Sequence, residues 1–165
     1  MTDTNNVSQT ISQTASNADA VTATAQFLTP VVLGLQALTI NGKQAHWHVR
    51  GANFIGVHEL LDTVVAHAGD WADLAAERIV ALGLPVDARL ATVTEKVAPT
   101  AVPAGFTTSD AIVRDVIADI DRVLADVKAA IDGLDEFDQS SQDIAIEIMR
   151  GLEKDRWFLF AHIAE

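Results

Sequence analysis

The chain has 165 residues, 49% of them hydrophobic, enough for one domain with a sizeable core. Its 23 acidic residues outweigh 11 Lys and Arg, for a formal net charge of −12, which opposes direct binding to nucleic acid or to an anionic membrane and suits cations as ligands. Cysteine is absent, so disulfides and thiolate metal sites are excluded; with no basic and apolar leader and no apolar run of about 18 residues, a cytoplasmic protein without a membrane span is expected.

Residues 1–19 (MTDTNNVSQTISQTASNAD) are polar, aperiodic and free of Lys and Arg; they predict an unstructured tail ahead of one domain over 20–165. Residues 20–49 read as mostly helical. Thr29-Pro30 has the form of an N-cap followed by Pro at the first helical position, so a break is expected there rather than one continuous helix. Val31, Leu35, Leu38, Ile40 and Ala45 supply the apolar face, and Gly51 marks the end. After a short loop over 50–55, a second helix runs from about Gly56 to Leu82 and stops at Gly83-Leu84-Pro85. Residues 86–107, with Pro99, Pro103 and Gly105, form a long connection that holds at most one short helix near 87–97. Thr108-Ser109-Asp110 opens a third helix with its stripe at Ile112, Val116, Ile120, Val123, Leu124, Val127 and Ile131, and Asp132-Gly133 closes it. The fourth covers 139–163, with Ile144, Ile148, Leu152, Trp157, Phe158 and Phe160 apolar. No strand pattern competes. Four helices, two short turns and a crossover between the second and third form the pattern of an all-α, ferritin-like four-helix bundle.

The second helix carries the chemistry. With about 100° per residue, His58, Asp62, Asp73 and Glu77 fall within about 100° of one another on one face. His46, in the last turn of the first helix, lies beside His58 and Asp62. A rise of about 1.5 Å per residue sets His58 and Glu77 roughly 28 Å apart, too far for one metal site. A chain therefore offers two half-sites. Two copies of the helix packed antiparallel about a two-fold axis near His67 and Ala68 would join them into two identical composite sites: His46, His58 and Asp62 from one subunit, Asp73 and Glu77 from its partner. Ala66 and Gly69 near the axis would permit the close approach. Mixed nitrogen and oxygen ligands suit Fe, Mn or Zn over Cu(I), and an open carboxylate-rich site favours redox iron. Taken singly, each of these residues is more often a solvated acid or a hydrogen-bonded histidine; the shared face and matched spacing favour a site.

The strings KQAHWHVRGANFIGVHELLD and DWADLAAERIVALG, with the RWFLF ending, resemble the Dps family of ferritin-like miniferritins over roughly residues 30–162, and the spacing H-x₁₁-H-x₃-D-x₁₀-D-x₃-E is matched in full. The resemblance implies a hollow dodecamer built from two-fold dimers. It also implies an inter-subunit ferroxidase centre at His46, His58, Asp62, Asp73 and Glu77, where iron is oxidised, preferably with hydrogen peroxide, and then stored as ferric mineral. Trp47 would pack beside His46 or join redox side-chemistry. Asp70, one turn before Asp73, would support a ligand or stay exposed. In this family the acidic start of the fourth helix (Asp138, Asp143 and Glu147) lines an iron-entry pore, although helix capping explains such acids equally well. Two departures stand out: His48 occupies a position where the family usually has Asn, and the basic tails through which the family binds DNA have no counterpart, which makes direct DNA binding doubtful. Two other readings compete with iron oxidation. One is a metal-dependent hydrolase that activates water for attack on an amide or ester; the other is nucleoid packaging without enzyme action.

Overall fold

The computed structural model describes residues 18–164; of the tail expected over residues 1–19, residues 1–17 lie outside them and residues 18 and 19 begin the first helix. In chain order the elements are α1 (Ala18–His48), β1 (Val49–Arg50), α2 (Phe54–Ala81), α3 (Leu90–Lys96), β2 (Thr107–Thr108), α4 (Ser109–Leu134) and α5 (Gln139–Ala161). The long helices α1, α2, α4 and α5 form the bundle: α1 packs on α2 and α4, and α5 on α4 and α2. The crossover with its short α3 passes over α1.

Apolar residues at three- and four-residue spacing turn one side of each helix inward. Leu28, Val31, Leu35 and Leu38 of α1 meet Val57, Leu61, Val64 and Ile79 of α2, with Ile112, Val116 and Ile120 of α4 and Ile148, Leu152 and Leu159 of α5. All are fully buried or within 1% of it. Each such side chain contributes about 1.5–3 kcal/mol relative to exposure. The helices also approach closely through glycine. A Cβ on Gly151 would lie 2.1 Å from the Trp71 ring, and one on Gly133 would lie 2.3 Å from Phe27.

Two expectations need correction. First, α1 is continuous through Pro30. Pro30 costs about 3 kcal/mol in a helix interior because it removes an N–H and crowds the preceding turn. Leu28, Val31 and Val32 are buried on either side of it, and their burial outweighs that cost. The Thr29 hydroxyl donates to the Ala25 carbonyl at 2.6 Å, while Gln26, whose carbonyl Pro30 leaves without its helical partner, is exposed. The same helix is long and apolar enough to span a membrane by length and composition, but half of its most apolar window is buried inside the bundle. Its place in the core accounts for that hydropathy. Second, a short parallel pairing joins Val49 to Thr107 and Arg50 to Thr108, tying the α1–α2 loop to the end of the crossover.

The boundaries otherwise follow local chemistry. Thr108 caps α4 by accepting from the Ala111 amide at 3.4 Å, and Asp138 caps α5 by accepting from the Ser141 amide at 3.1 Å. Gly83, at φ 89°, follows α2 and permits the left-handed turn that ends it. On α5, Trp157, Phe158 and Phe160 are exposed, so the aromatic end of this helix does not belong to the core of the single chain.

Candidate metal centre

The exposed stripe of α2 is the side its core residues leave free. Val57, Leu61, Val64, Ala68, Ala72, Ala75 and Ile79 face inward, while Asp62, Asp73 and Glu77 are exposed and His58 is half-buried. All four sit on one uninterrupted helix, so the separation of roughly 28 Å between His58 and Glu77 holds.

At one end, α1 delivers His46 to His58. Their rings stack with centroids 3.7 Å apart. Each Nδ1 lies against the other residue's backbone carbonyl, His46 to His58 at 2.8 Å and His58 to His46 at 2.9 Å. A carbonyl only accepts, so Nδ1 donates in both rings, which leaves Nε2 as the nitrogen available to a metal. Phe54 packs on His58 with centroids 5.0 Å apart. Asp62 Oδ1 lies 3.5 Å from His46 Nδ1 and forms an ion pair with Lys43. That hydrogen bond from Lys43, with His46 and His58 nearby, holds the Asp62 carboxyl below the usual carboxylate range.

At the other end, Asp73 and Glu77 line a recess of about 480 Å³ with Asp70, Trp71, Leu74 and Glu147. Between the two ends, Ala66 is exposed, and a Cβ built on Gly69 would meet nothing within 4 Å. Among the described residues no three His, Asp or Glu side chains converge on one metal-sized point. The structure thus brings His46, His58 and Asp62 together, brings Asp73 and Glu77 together, and keeps the two groups apart.

The remaining candidates divide. Trp47 is exposed. Asp70 shares the Asp73 recess, and so does Glu147, which α5 brings across from the region read as an entry path. Asp143 is exposed. Asp138 is occupied: besides the Ser141 amide it accepts from the Ser141 hydroxyl at 2.6 Å and the Thr24 hydroxyl at 3.0 Å, and it pairs with Arg78 at 3.0 Å. Burial alone would raise its pKa, but these donors together bring it below the ordinary value. His48 is held by its own helix through the Gln44 carbonyl at 2.9 Å, with its ring 5.3 Å from Phe106.

Two features escaped the sequence reading. Lys43, one turn before His46, occupies the Asp62 carboxylate. Asp155, with a side chain only 3% exposed, accepts from His67 Nδ1 at 2.9 Å; burial pushes its pKa up and His67 opposes that rise. The signal for Asp155 was its register, since Ile148, Leu152, Asp155 and Leu159 share the spacing of a core stripe.

Residues 34–165 match the family model of the ferritin-like domain. A DNA protection during starvation protein from Agrobacterium fabrum is 36% identical over 129 residues, covering 78% of this chain and 80% of the relative. Its counterpart from Mycolicibacterium smegmatis is 36% identical over 130 residues, which is 73% of this chain and 66% of that protein's length. Among solved structures, Dps from Microbacterium arborescens in its high iron form is 63% identical, with a TM-score of 0.89 over 91% of this chain and 98% of that one. Mycobacterium smegmatis Dps is 29% identical, with a TM-score of 0.85 over 92% of this chain and 93% of that one. The chain belongs to the Dps family of ferritin-like proteins.

Proposed function

We propose that this protein oxidises Fe(II) with hydrogen peroxide at sites composed by two subunits and stores the ferric product inside a hollow dodecamer. The observation that carries this reading is the split stripe of α2. Two ligand groups face outward at opposite ends of one helix, and small residues lie between them. An antiparallel partner helix completes both groups at once.

In the composite site, His46 and His58 offer Nε2 lone pairs fixed by the Nδ1–carbonyl bonds. Asp62 gives up Lys43 to bind the metal, and Asp73 and Glu77 of the second subunit supply anionic oxygen. Iron here is substrate. Two Fe(II) ions yield one electron each to hydrogen peroxide, whose O–O bond breaks to give two hydroxide ions alongside two Fe(III), and no hydroxyl radical is released. Asp143, exposed near the start of α5, belongs to the path by which iron enters, and Glu147 stands between that path and the Asp73 recess. A net charge of −12 per chain draws cations in and disfavours direct DNA contact. The high iron form of the Microbacterium arborescens Dps supports iron as the cargo.

The test is anaerobic Fe(II) loading followed by a peroxide pulse on the wild type, His58→Ala and Glu77→Ala, with ferric absorbance and particle size read together. Fast oxidation in the wild type, lost in both variants while the particle stays intact, is the expected result. Unchanged oxidation in either variant would remove the composite site.

A further inference from the structure

A further cavity lies away from the histidines and carboxylates of α2. It encloses about 950 Å³ between α1, the crossover and α4, at the upper end of the range of about 300–1,000 Å³ typical of small-molecule sites. Leu33, Ala37, Leu38, Leu84, Val86 and Val123 give it apolar walls. It follows α1 from Thr22 to Asn41, about 28 Å of helix, so it is elongated rather than round.

Five charged side chains reach this cavity, and four are already paired. Asp87 binds Arg89 at 2.8 Å and Lys96 binds Glu95 at 2.8 Å. Asp119 pairs with Arg122 and accepts from the Thr100 hydroxyl at 2.6 Å. Asp126 is half-buried and has no hydrogen bond or ion pair among the described residues. Burial pushes its pKa up and no neighbour opposes the shift. Gly34 lies across from it: a Cβ there would sit 3.8 Å from Asp126 Oδ2 and 3.2 Å from Val123 Cγ2. The missing side chain leaves the carboxylate open to the space.

We propose that this cavity is a binding site for a lipophilic amine, whose protonated nitrogen meets Asp126 while apolar arms lie along α1 on either side. A half-buried carboxylate among apolar walls favours a cation and penalises a neutral or anionic guest that leaves it unpaired. Gly34 lies near the middle of the stretch of α1 that lines the cavity, so the nitrogen belongs at mid-length, as in a secondary or tertiary amine. The site is separate from the iron chemistry, and its test does not depend on it.

Dibenzylamine, protonated at neutral pH, and dibenzyl ether, uncharged and of the same shape, make the matched pair. Each is titrated calorimetrically into the assembled full-length protein. The amine is expected to bind at least about tenfold more tightly than the ether. Asp126→Asn, isosteric and free of the desolvated charge, is expected to fold, assemble and lose that preference. Ala125→Trp, at the exposed rim, is expected to weaken both molecules. Equal affinities in the wild type, a preference that survives in Asp126→Asn, or affinities untouched by Ala125→Trp would each overturn the proposal. So would failure of both molecules to bind, the outcome if a second copy of the chain or residues 1–17 fill the cavity.

Discussion

Replacing Asp138 with alanine separates two roles that its position in the sequence confuses. The carboxylate caps α5 and pairs with Arg78, with side-chain exposures of 13% for Asp138 and 26% for Arg78. Loss of the cap costs about 1 kcal/mol. Loss of a charged hydrogen-bonding partner for a mostly buried guanidinium adds about 1.5–3 kcal/mol, giving roughly 3 kcal/mol in all. At about 2–4 °C per kcal/mol for a chain of this size, the thermal midpoint of Asp138→Ala should fall by about 6–12 °C at fixed protein concentration. Asn caps as well as Asp, so Asp138→Asn should lose about half as much. Because the Asp138 pKa is lowered on folding, its stabilisation is complete above the ordinary carboxyl value of about 4 and fades as pH falls through the lower folded value; the gap between wild type and Asp138→Asn should therefore close in acid. Iron uptake per intact particle should be unchanged in Asp138→Ala and slowed in Asp143→Asn. A midpoint for Asp138→Ala within about 2 °C of wild type, together with slowed uptake, would refute this reasoning and make Asp138 a carboxylate of the entry path.

Two further outcomes follow from the packing and the symmetry. In a mixed dimer of His58→Ala and Glu77→Ala chains, one composite site carries both lesions and the other carries none; random co-assembly of the two inactive variants at equal amounts should therefore restore about a quarter of wild-type oxidation, and recovery of none would exclude a site shared between subunits. Gly151→Ala sets a methyl group 2.1 Å from the Trp71 ring; overpacking of this kind costs about 1–3 kcal/mol, so the midpoint should drop and the tryptophan emission shift, whereas a wild-type midpoint would show that α2 and α5 separate easily.

The parts of the fold that were legible in the sequence are those set by local chemistry. Gly83, Thr108 and Asp138 sit where the conformation of one residue or one side-chain hydrogen bond decides an element's end. The shared face of His58, Asp62, Asp73 and Glu77 on α2 was legible because a helix converts spacing directly into a face. Pro30 misled because its local preference for a helix start was outweighed by burial of Leu28 and Val31, a tertiary effect. The Val49–Thr107 pairing joins residues 58 positions apart, and nothing local announces it. Lys43 on Asp62 and His67 on Asp155 were hidden for the same reason, since each joins side chains from different helices. Trp157, Phe158 and Phe160 look like core in the sequence, yet the single chain leaves them exposed.

The crossed bonds between His46 and His58 would have a consequence for affinity in the proposed centre. Each ring is oriented by the other residue's backbone, so the chain loses the rotational freedom of both imidazoles when it folds, before any metal arrives. In the proposed centre, iron would meet imidazoles already held in place, and the ordering cost of about 0.5–1.5 kcal/mol for each immobilised side chain would be absent from the binding step. The loop over 51–53, which sets the end of α1 against the start of α2, would then bear on that binding constant. It turns on Gly51 at φ 102° and Asn53 at φ 59°; bulkier residues at either position would loosen the hold on both imidazoles from outside the candidate centre.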